Sequence, residues 1–139
     1  MNITVEKVDV WAAGVNDQTG NLSNVLKTLR EVGADLELII ARRAAEKPGT
    51  GVVFVAPLRG DEEIKTAAML GFNITSSVNA IRVQGHDIPG ITSRVTEKLA
   101  ATGISLRGLT TAVIGPRFIM YIGLDTSEDT AAAIRCLKE

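Results

Sequence analysis

The apolar positions of the chain change their spacing in a fixed order. Residues 3–13 are rich in β-branched apolar residues with partial alternation, which predicts a strand. The next apolar positions, from Leu22 to Val32, recur every three or four residues, as on one face of a helix. This helix is predicted to end at Gly33, because glycine is favoured just past a helix end.

The same order returns 70 residues later, so the chain contains an internal repeat. Asp17 aligns with Asp87, and Gly20 aligns with Gly90. In the second copy, residues 79–85 predict the strand, and a shorter apolar stripe predicts the helix. Each repeat therefore occupies about half of the 139 residues.

Further strands and helices complete both repeats. The predicted strands are 35–44, 51–57, 105–114 and 117–124. The predicted second helices are 61–70, capped by Asp61, and 127–137, capped by Thr126 or Ser127. The order strand, helix, strand, strand, helix, strand is ferredoxin-like. The predicted fold class is therefore α+β, with two tandem ferredoxin-like βαββαβ modules whose antiparallel sheets carry the helices on one face.

The last strand of each module is predicted in a different part of the chain. The first module has a candidate strand at 72–78, whereas the sequence stops directly after the last predicted helix of the second module. We infer that the N-terminal strand, residues 2–6, completes the second module, because an open sheet edge leaves backbone groups unpaired. The predicted modules are residues 7–78, and residues 79–139 together with residues 1–6.

Composition and charge argue against a nucleic-acid-binding protein and against a membrane protein. Hydrophobic residues make up 45% and charged residues 22%, as in an ordinary folded protein, and the net charge is −1. No basic field is available for a phosphate backbone, so we expect no nucleic-acid partner. The apolar runs are too short for a membrane helix, and the N-terminus lacks a signal-peptide pattern. Since the single cysteine, Cys136, also favours a reducing compartment, we expect a cytoplasmic protein without a membrane partner.

The sequence contains no recognisable pattern for catalysis. It has one histidine, His86, one thiol, and no phosphate-binding GxxxxGK[ST] motif. The paired acids at 62–63 and 128–129 open predicted helices, where they favour the helix dipole. We therefore expect no enzyme, no cofactor and no metal site, and we interpret His86 as a solvated loop residue.

The loops between the first strand and the first helix of each module suggest a function. They contain DQTGNL and DIPGI, and the helices are followed by GADLELIIARR and GISLRGLTTA. These elements resemble the ACT family, the small-molecule-binding regulatory modules found in and beside enzymes of amino-acid metabolism. The resemblance covers essentially the whole chain as two tandem modules, and the module order is similar to the regulatory half of aspartate kinases.

The resemblance implies a non-enzymatic regulatory protein that binds an amino acid or a similar small metabolite and transmits the signal allosterically. Ligands of ACT modules sit between modules, frequently across a dimer interface, so a homodimer is expected, with a metabolic enzyme or regulator as a further partner. The alternative is a protein-interaction module with vestigial ligand loops that docks onto a metabolic enzyme or regulator.

The two loops also suit a free amino acid on physical grounds. Helix-start N–H groups favour a carboxylate, a nearby Asp favours an ammonium group, and glycine allows close approach. The predicted ligand-binding residues of the first loop are Asn16, Asp17, Gln18, Thr19, Gly20, Asn21 and Leu22. Those of the second loop are His86, Asp87, Ile88, Pro89, Gly90 and Ile91.

A plainer interpretation exists for each of these features. Each Asp can simply cap its helix, and the Pro-Gly pair can be only a turn, with Pro89 suited to the first turn of the helix. Thr19 stands where the second loop has Pro89, so the first loop departs from the tighter pattern. Arg42 and Arg43 could reach a ligand carboxylate, but we interpret them as a solvated strand end. Trp11 is expected to pack in the core.

Overall fold

The structure is a computed structural model that describes residues 2–73 and 78–139. Within these residues the elements are β1 (Ile3–Asn16), α1 (Asn21–Glu31), β2 (Leu38–Arg43), β3 (Thr50–Ala56), α2 (Gly60–Met69), β4 (Val78–His86), α3 (Ile91–Ala101), β5 (Leu106–Ile114), β6 (Arg117–Leu124) and α4 (Ser127–Lys138). Their types and order confirm the predicted α+β, ferredoxin-like fold class. The candidate strand at 72–78 lies largely outside the described residues.

The chain forms two compact units. The terminal unit comprises Met1–Val8 and Val78–Glu139, and the central unit comprises Asp9–Ser77. Strand β1 supplies its N-terminal half to the terminal unit and its C-terminal half to the central unit.

The sheet of the terminal unit has the order β1, β4, β6, β5, with β1 contributing its N-terminal half. Strands β4 and β5 both pair with β6 in the antiparallel sense. A Cβ atom added to Gly85 would lie only 2.9 Å from the carbonyl oxygen of Asn2, so glycine is required where β1 approaches β4. Arg82 Nη2 donates a hydrogen bond of 2.6 Å to Glu6 Oε2 across the same pair of strands. The N-terminal strand thus completes this sheet.

Both helices of the terminal unit cover one face of its sheet. Phe118, Met120, Ile122 and Leu124 alternate along β6, so their side chains share one face of the strand, and buried residues of α3 and α4 pack into the same core. The core comprises Val5, Ile81, Val83, Ile91, Val95, Leu99, Ile104, Phe118, Met120, Ile122, Leu124, Ala133 and Leu137. The apolar stripe predicted for α3 is therefore the stripe that packs against the sheet.

The central unit repeats this arrangement with the order β2, β3, β1. Both pairs are antiparallel, and they place Arg43 opposite Gly51 and Asn16 opposite Thr50. Its core comprises Trp11, Ala13, Val25, Leu29, Val53, Val55, Ala67 and Phe72. Trp11 is 8% exposed, which confirms the expectation that it packs in the core.

The starts of the second helices differ in how they are capped. Thr126 Oγ1 accepts a hydrogen bond of 3.0 Å from Asp129 N, which confirms Thr126 as the cap of α4. The prediction of Asp61 as the cap of α2 is wrong, because the helix begins at Gly60. The side chain of Glu63 accepts a hydrogen bond of 2.9 Å from Arg59 N, so a carboxylate within the helix satisfies this donor.

Two further observations bear on function. Among the described residues, no helix has the length and hydropathy needed to cross a lipid bilayer. In the same part of the chain, no three His, Cys, Asp or Glu side chains are grouped so that they could hold a metal ion.

Candidate ligand-binding site

The second loop, residues 86–91, forms a turn that leads directly into α3. Ile91 N donates a hydrogen bond of 3.1 Å to Ile88 O, which closes a four-residue turn. Gly90 has φ 80° and ψ 10°, the conformation of the third residue in a type II turn, where glycine is favoured. Pro89 precedes it at the position for which a fixed φ is suited.

The first loop, residues 16–22, adopts the same backbone conformation. Asn21 N donates a hydrogen bond of 3.1 Å to Gln18 O, and Gly20 has φ 91° and ψ −12°. The two loops therefore share a turn, although Thr19 replaces the proline in the first.

This turn changes the interpretation of the residues before the helices. Gly20 and Gly90 occupy the N-cap positions of α1 and α3, and neither helix has a side-chain cap hydrogen bond. The interpretation of Asp17 and Asp87 as helix caps is therefore wrong. Pro89 also lies outside the first turn of α3. It is the second residue of the four-residue turn that precedes the helix.

The side chain of Asp17 instead forms an ion pair with the end of β2. Arg43 Nε lies 2.8 Å from Asp17 Oδ2, and the two side chains are 84% and 36% exposed, respectively. Asp17 N donates a hydrogen bond of 3.0 Å to Gly49 O in the β2–β3 connection, and Asn21 Nδ2 donates one of 2.8 Å to Asn16 O. These contacts hold the first loop against β2 and β3.

A cleft of about 270 Å³ opens beside the first loop. It is lined by Val15, Asn16, Asp17, Gln18, Asn21, Leu22, Ala41, Arg42, Arg43, Gly51, Val52 and Val53. Five of the predicted first-loop residues are in this set, whereas Thr19 and Gly20 are not. The arginines at the end of β2 remain solvated, but they also border the cleft, which the interpretation as a plain strand end missed.

The apolar wall of the cleft comes from strands β1, β2 and β3, and no sequence motif predicts it. Val15, Ala41 and Val53 meet there because the three strands pair in register. A Cβ atom on Gly51 would lie 3.0 Å from the carbonyl oxygen of Arg42. The only sequence signal for this wall was the strand pattern itself, which predicts partners but not a cavity.

A second cleft of about 330 Å³ adjoins the first. The two clefts share Val15, Asn16 and Gly51, and the second adds Lys47 and Thr50 as polar side chains.

The second loop lies in different surroundings. His86 is exposed and stands opposite Arg117 in the sheet, and Asp87 N donates a hydrogen bond of 2.8 Å to Pro116 O. Within the described residues, Asp87 forms no ion pair. Ile88, Pro89 and Gly90 are exposed, while Ile91 is 5% exposed and belongs to the core of the terminal unit.

Comparisons with known proteins agree with this architecture. Residues 80–136 match a family model described as an ACT domain. No curated protein matches the chain at a significant level.

Several solved structures have the same fold. A protein from Bacteroides thetaiotaomicron aligns over 96% of this chain and 90% of its own, with a TM-score of 0.79 and 13% identity. The ligand-free regulatory subunit of aspartate kinase from Thermus thermophilus aligns over 98% of this chain and 94% of its own, with a TM-score of 0.64 and 18% identity. The corresponding subunit from Thermus flavus aligns over 99% and 95%, with a TM-score of 0.63 and 18% identity.

These likenesses show the fold, and the family model adds the relationship in sequence. An ACT domain supports a regulatory, ligand-binding role in general terms. The resemblance to the ACT family is thereby confirmed over residues 80–136, which match the ACT domain model.

Proposed function

We propose that this protein is a non-catalytic regulator that binds an amino acid or a similar small metabolite beside its first loop. The observation that carries the proposal is the cleft of about 270 Å³ at that loop, where Asp17 and Arg43 present opposite charges next to apolar strand residues. Binding sites for small molecules combine a mostly apolar wall with a few convergent polar groups. A zwitterion has both charges that such a site can pair.

The proposal extends to the organisation of the chain. We propose that residues 7–78 act as one ACT module and that residues 79–139 with residues 1–6 act as the other. The thirteen residues of the two loops remain the proposed ligand-binding positions, with the first loop preferred because its aspartate is held by Arg43.

Regulation requires that the ligand bind one state of the protein more tightly than another. A tenfold preference corresponds to about 1.4 kcal/mol of shift in the equilibrium between the states. The aspartate kinase subunits with the same fold are regulatory by name, which supports a metabolic enzyme or regulator as the partner that responds.

A thermal-shift screen of the standard amino acids tests the proposal. A ligand at a hundredfold excess over its Kd stabilises the folded state by about 2.7 kcal/mol, which raises Tm measurably. We expect at least one amino acid to do so, and we expect Asp17→Asn to reduce the shift, because it removes the charge with little change in shape. Asp125→Asn is the matched control, since this exposed aspartate lies outside both loops, and it should keep the shift.

Two results would contradict the proposal. One is a panel in which no amino acid changes Tm. The other is a shift that Asp17→Asn leaves intact, since the ligand would then bind elsewhere.

The exposed edge strand β5 supports self-association and favours a second candidate function, a docking module. It is the last strand in the sheet order, and residues 107–114 are all exposed. Val113 and Ile114 are 56% and 73% exposed, and Arg107 is the only charged residue of the strand. A long apolar edge with a single charged residue tends to pair with another strand. We propose that this edge joins two copies in a homodimer.

Light scattering during size-exclusion chromatography tests the edge. We expect the wild-type protein to elute as a dimer and Val113→Lys to elute as a monomer, because a lysine on an edge opposes pairing. Ser93→Lys, on an exposed face of α3, is a control for the added charge. A dimer that survives Val113→Lys would rule out pairing through β5.

A further inference from the structure

Beside the first loop, one residue from each strand of the central unit forms a row across the sheet. Arg43 of β2 stands opposite Gly51 of β3, which stands opposite Val15 of β1. Val15 packs against the core of this unit, so the row lies on the face that carries the helices. The glycine in the middle contributes no side chain, and all three residues line the cleft of about 270 Å³.

Beside the second loop, the corresponding row has a phenylalanine in the middle. Val113 of β5 stands opposite Phe118 of β6, which stands opposite Gly85 of β4. Phe118 is 2% exposed and belongs to the core of the terminal unit. A Cβ atom added to Gly85 would lie 3.4 Å from Phe118 Cε1, so the phenyl ring lies against Gly85 and fills this row.

The comparison of the two rows explains the opening at Gly51. In each row a glycine faces a larger residue on the next strand, but the larger residue is Val15 in the central unit and Phe118 in the terminal unit. Since protein cores are packed with few voids, the smaller side chain of valine leaves space over Gly51. Ala41 and Val53 stand on the same face and bound this space with further aliphatic side chains.

The charges on this face of the cleft are those of one ion pair, with Asp17 Oδ2 2.8 Å from Arg43 Nε. Arg42 also lines the cleft, but it alternates with Arg43 along β2, so its side chain points to the opposite face. The side-chain amide of Asn21 is engaged within the loop, where it donates to Asn16 O. The ion pair matches the ammonium and carboxylate groups of an amino acid, and the aliphatic wall is left for the side chain of the ligand.

We propose that the ligand of this cleft is an amino acid with an aliphatic side chain, which lies over Gly51. The inference rests on the proposed function and specifies the ligand class of the same site. Contact with Val15, Ala41 and Val53 removes the apolar surface of such a side chain from water, which favours binding. A polar side chain of the same shape loses hydrogen bonds to water at this wall, so it binds more weakly.

Isothermal titration calorimetry with pairs of amino acids of nearly the same shape tests the inference. L-leucine is paired with L-asparagine, and L-valine is paired with L-threonine. We expect at least one aliphatic amino acid to bind at least tenfold more tightly than its polar counterpart. The heat capacity change of its binding should be negative, because apolar surface is buried.

Two variants of Val15 locate the effect. Val15→Phe places a phenyl group opposite Gly51, as Phe118 lies opposite Gly85, and it should weaken binding of the aliphatic ligand at least tenfold. Val15→Thr keeps the shape of the wall but adds a hydroxyl group, and it should lower the preference for the aliphatic amino acid several-fold. Circular dichroism without ligand shows whether each variant folds. If Val15→Phe does not fold, Val15→Thr still decides the inference.

Val32→Phe and Val32→Thr are the matched controls. Val32 is also a partly buried valine of the central unit, but it does not line the cleft. Both control variants should leave the affinity and the preference unchanged.

The outcomes separate this inference from the proposed function. If an amino acid of another class binds as tightly as the aliphatic ones and Asp17→Asn weakens it, the cleft is a ligand site but the ligand class is wrong. If the affinity and the preference survive the Val15 variants that fold, the side chain of the ligand does not lie over Gly51, and the inference fails. If no amino acid binds, the proposed function and the inference fall together.

Discussion

The two loops have the same backbone and different surroundings. Each places a glycine with positive φ at the N-cap of a helix, as the third residue of a turn closed by a hydrogen bond of 3.1 Å. Within the part of the chain that the structure describes, however, only the first loop has its aspartate in an ion pair, with Arg43 at 2.8 Å. The position 70 residues after Arg43 is Val113, so the second unit has no guanidinium group at the corresponding place.

The comparison separates the part of a repeat that builds the fold from the part that can bind a ligand. The glycine is required in both loops because an L side chain is strained at positive φ. The charged partner on the neighbouring strand is not needed by the turn, so it can differ between the copies. A motif that occurs twice therefore predicts a repeated structure more reliably than a repeated function.

The largest expected effect is a loss of stability when the core of either unit is truncated. Leu29 and Leu99 are equivalent in the repeat, and both are 0% exposed. Truncating either to alanine should cost about 2–5 kcal/mol, through lost burial and the cavity that remains. Urea unfolding measured by circular dichroism gives both losses, and the fluorescence of Trp11, the single tryptophan, reports on the central unit.

Losses of similar size would show that the units are equivalent scaffolds and differ only at their loops. A surface substitution typically changes the free energy of unfolding by no more than about 0.5 kcal/mol. If truncating one of the two leucines lowered it by so little, the two units would not be equivalent.

A smaller effect is expected at the turn glycines. Gly20→Ala and Gly90→Ala should each destabilise the fold by about 1–2 kcal/mol, the cost of a left-handed conformation for an L residue. A Cβ atom at either position meets no heavy atom within 4 Å, so the cost is conformational and not steric. The change in the urea midpoint measures it.

Gly14→Ala and Gly108→Ala serve as controls for the two units. A Cβ atom at either position also meets nothing within 4 Å, and neither glycine has positive φ. These variants should retain wild-type stability or gain slightly. If the turn variants behave like the controls, the positive φ is not what requires glycine in the loops.

The smallest expected effect concerns the second residue of the turn, which is Thr19 in the first loop and Pro89 in the second. Thr19→Pro should stabilise the protein by about 0.4–1 kcal/mol, because proline restricts the unfolded chain and suits this turn position. Thr19 N donates none of the described backbone hydrogen bonds, so the proline variant loses none of them. Pro89→Thr should have the opposite sign, and differential scanning calorimetry gives both changes in Tm.

If Thr19→Pro destabilises the protein, the first turn departs from the conformation that proline accepts. The same variant retains every charged residue of the cleft, so ligand binding should persist in it. Loss of binding with higher stability would indicate that the first loop must move to admit its ligand.

The sequence by itself determined the repeat, the elements and the fold class, because these depend on local spacing. The stripe from Leu22 to Val32 and the glycine after it fixed α1 within a residue or two. The loop glycines were also visible as an aligned pair, since a requirement for positive φ restricts a position to glycine or a few other residues.

The tertiary structure alone decided what surrounds each loop. Asp17 and Arg43 are separated by a helix and a strand, and they meet because β1, β3 and β2 pair side by side. The apolar wall of the cleft arises from the same pairing, through residues whose sequence pattern marks them only as strand positions. Local spacing predicts that each turn contains an aspartate. Whether that aspartate contacts an arginine or only solvent depends on how the strands pair across the sheet.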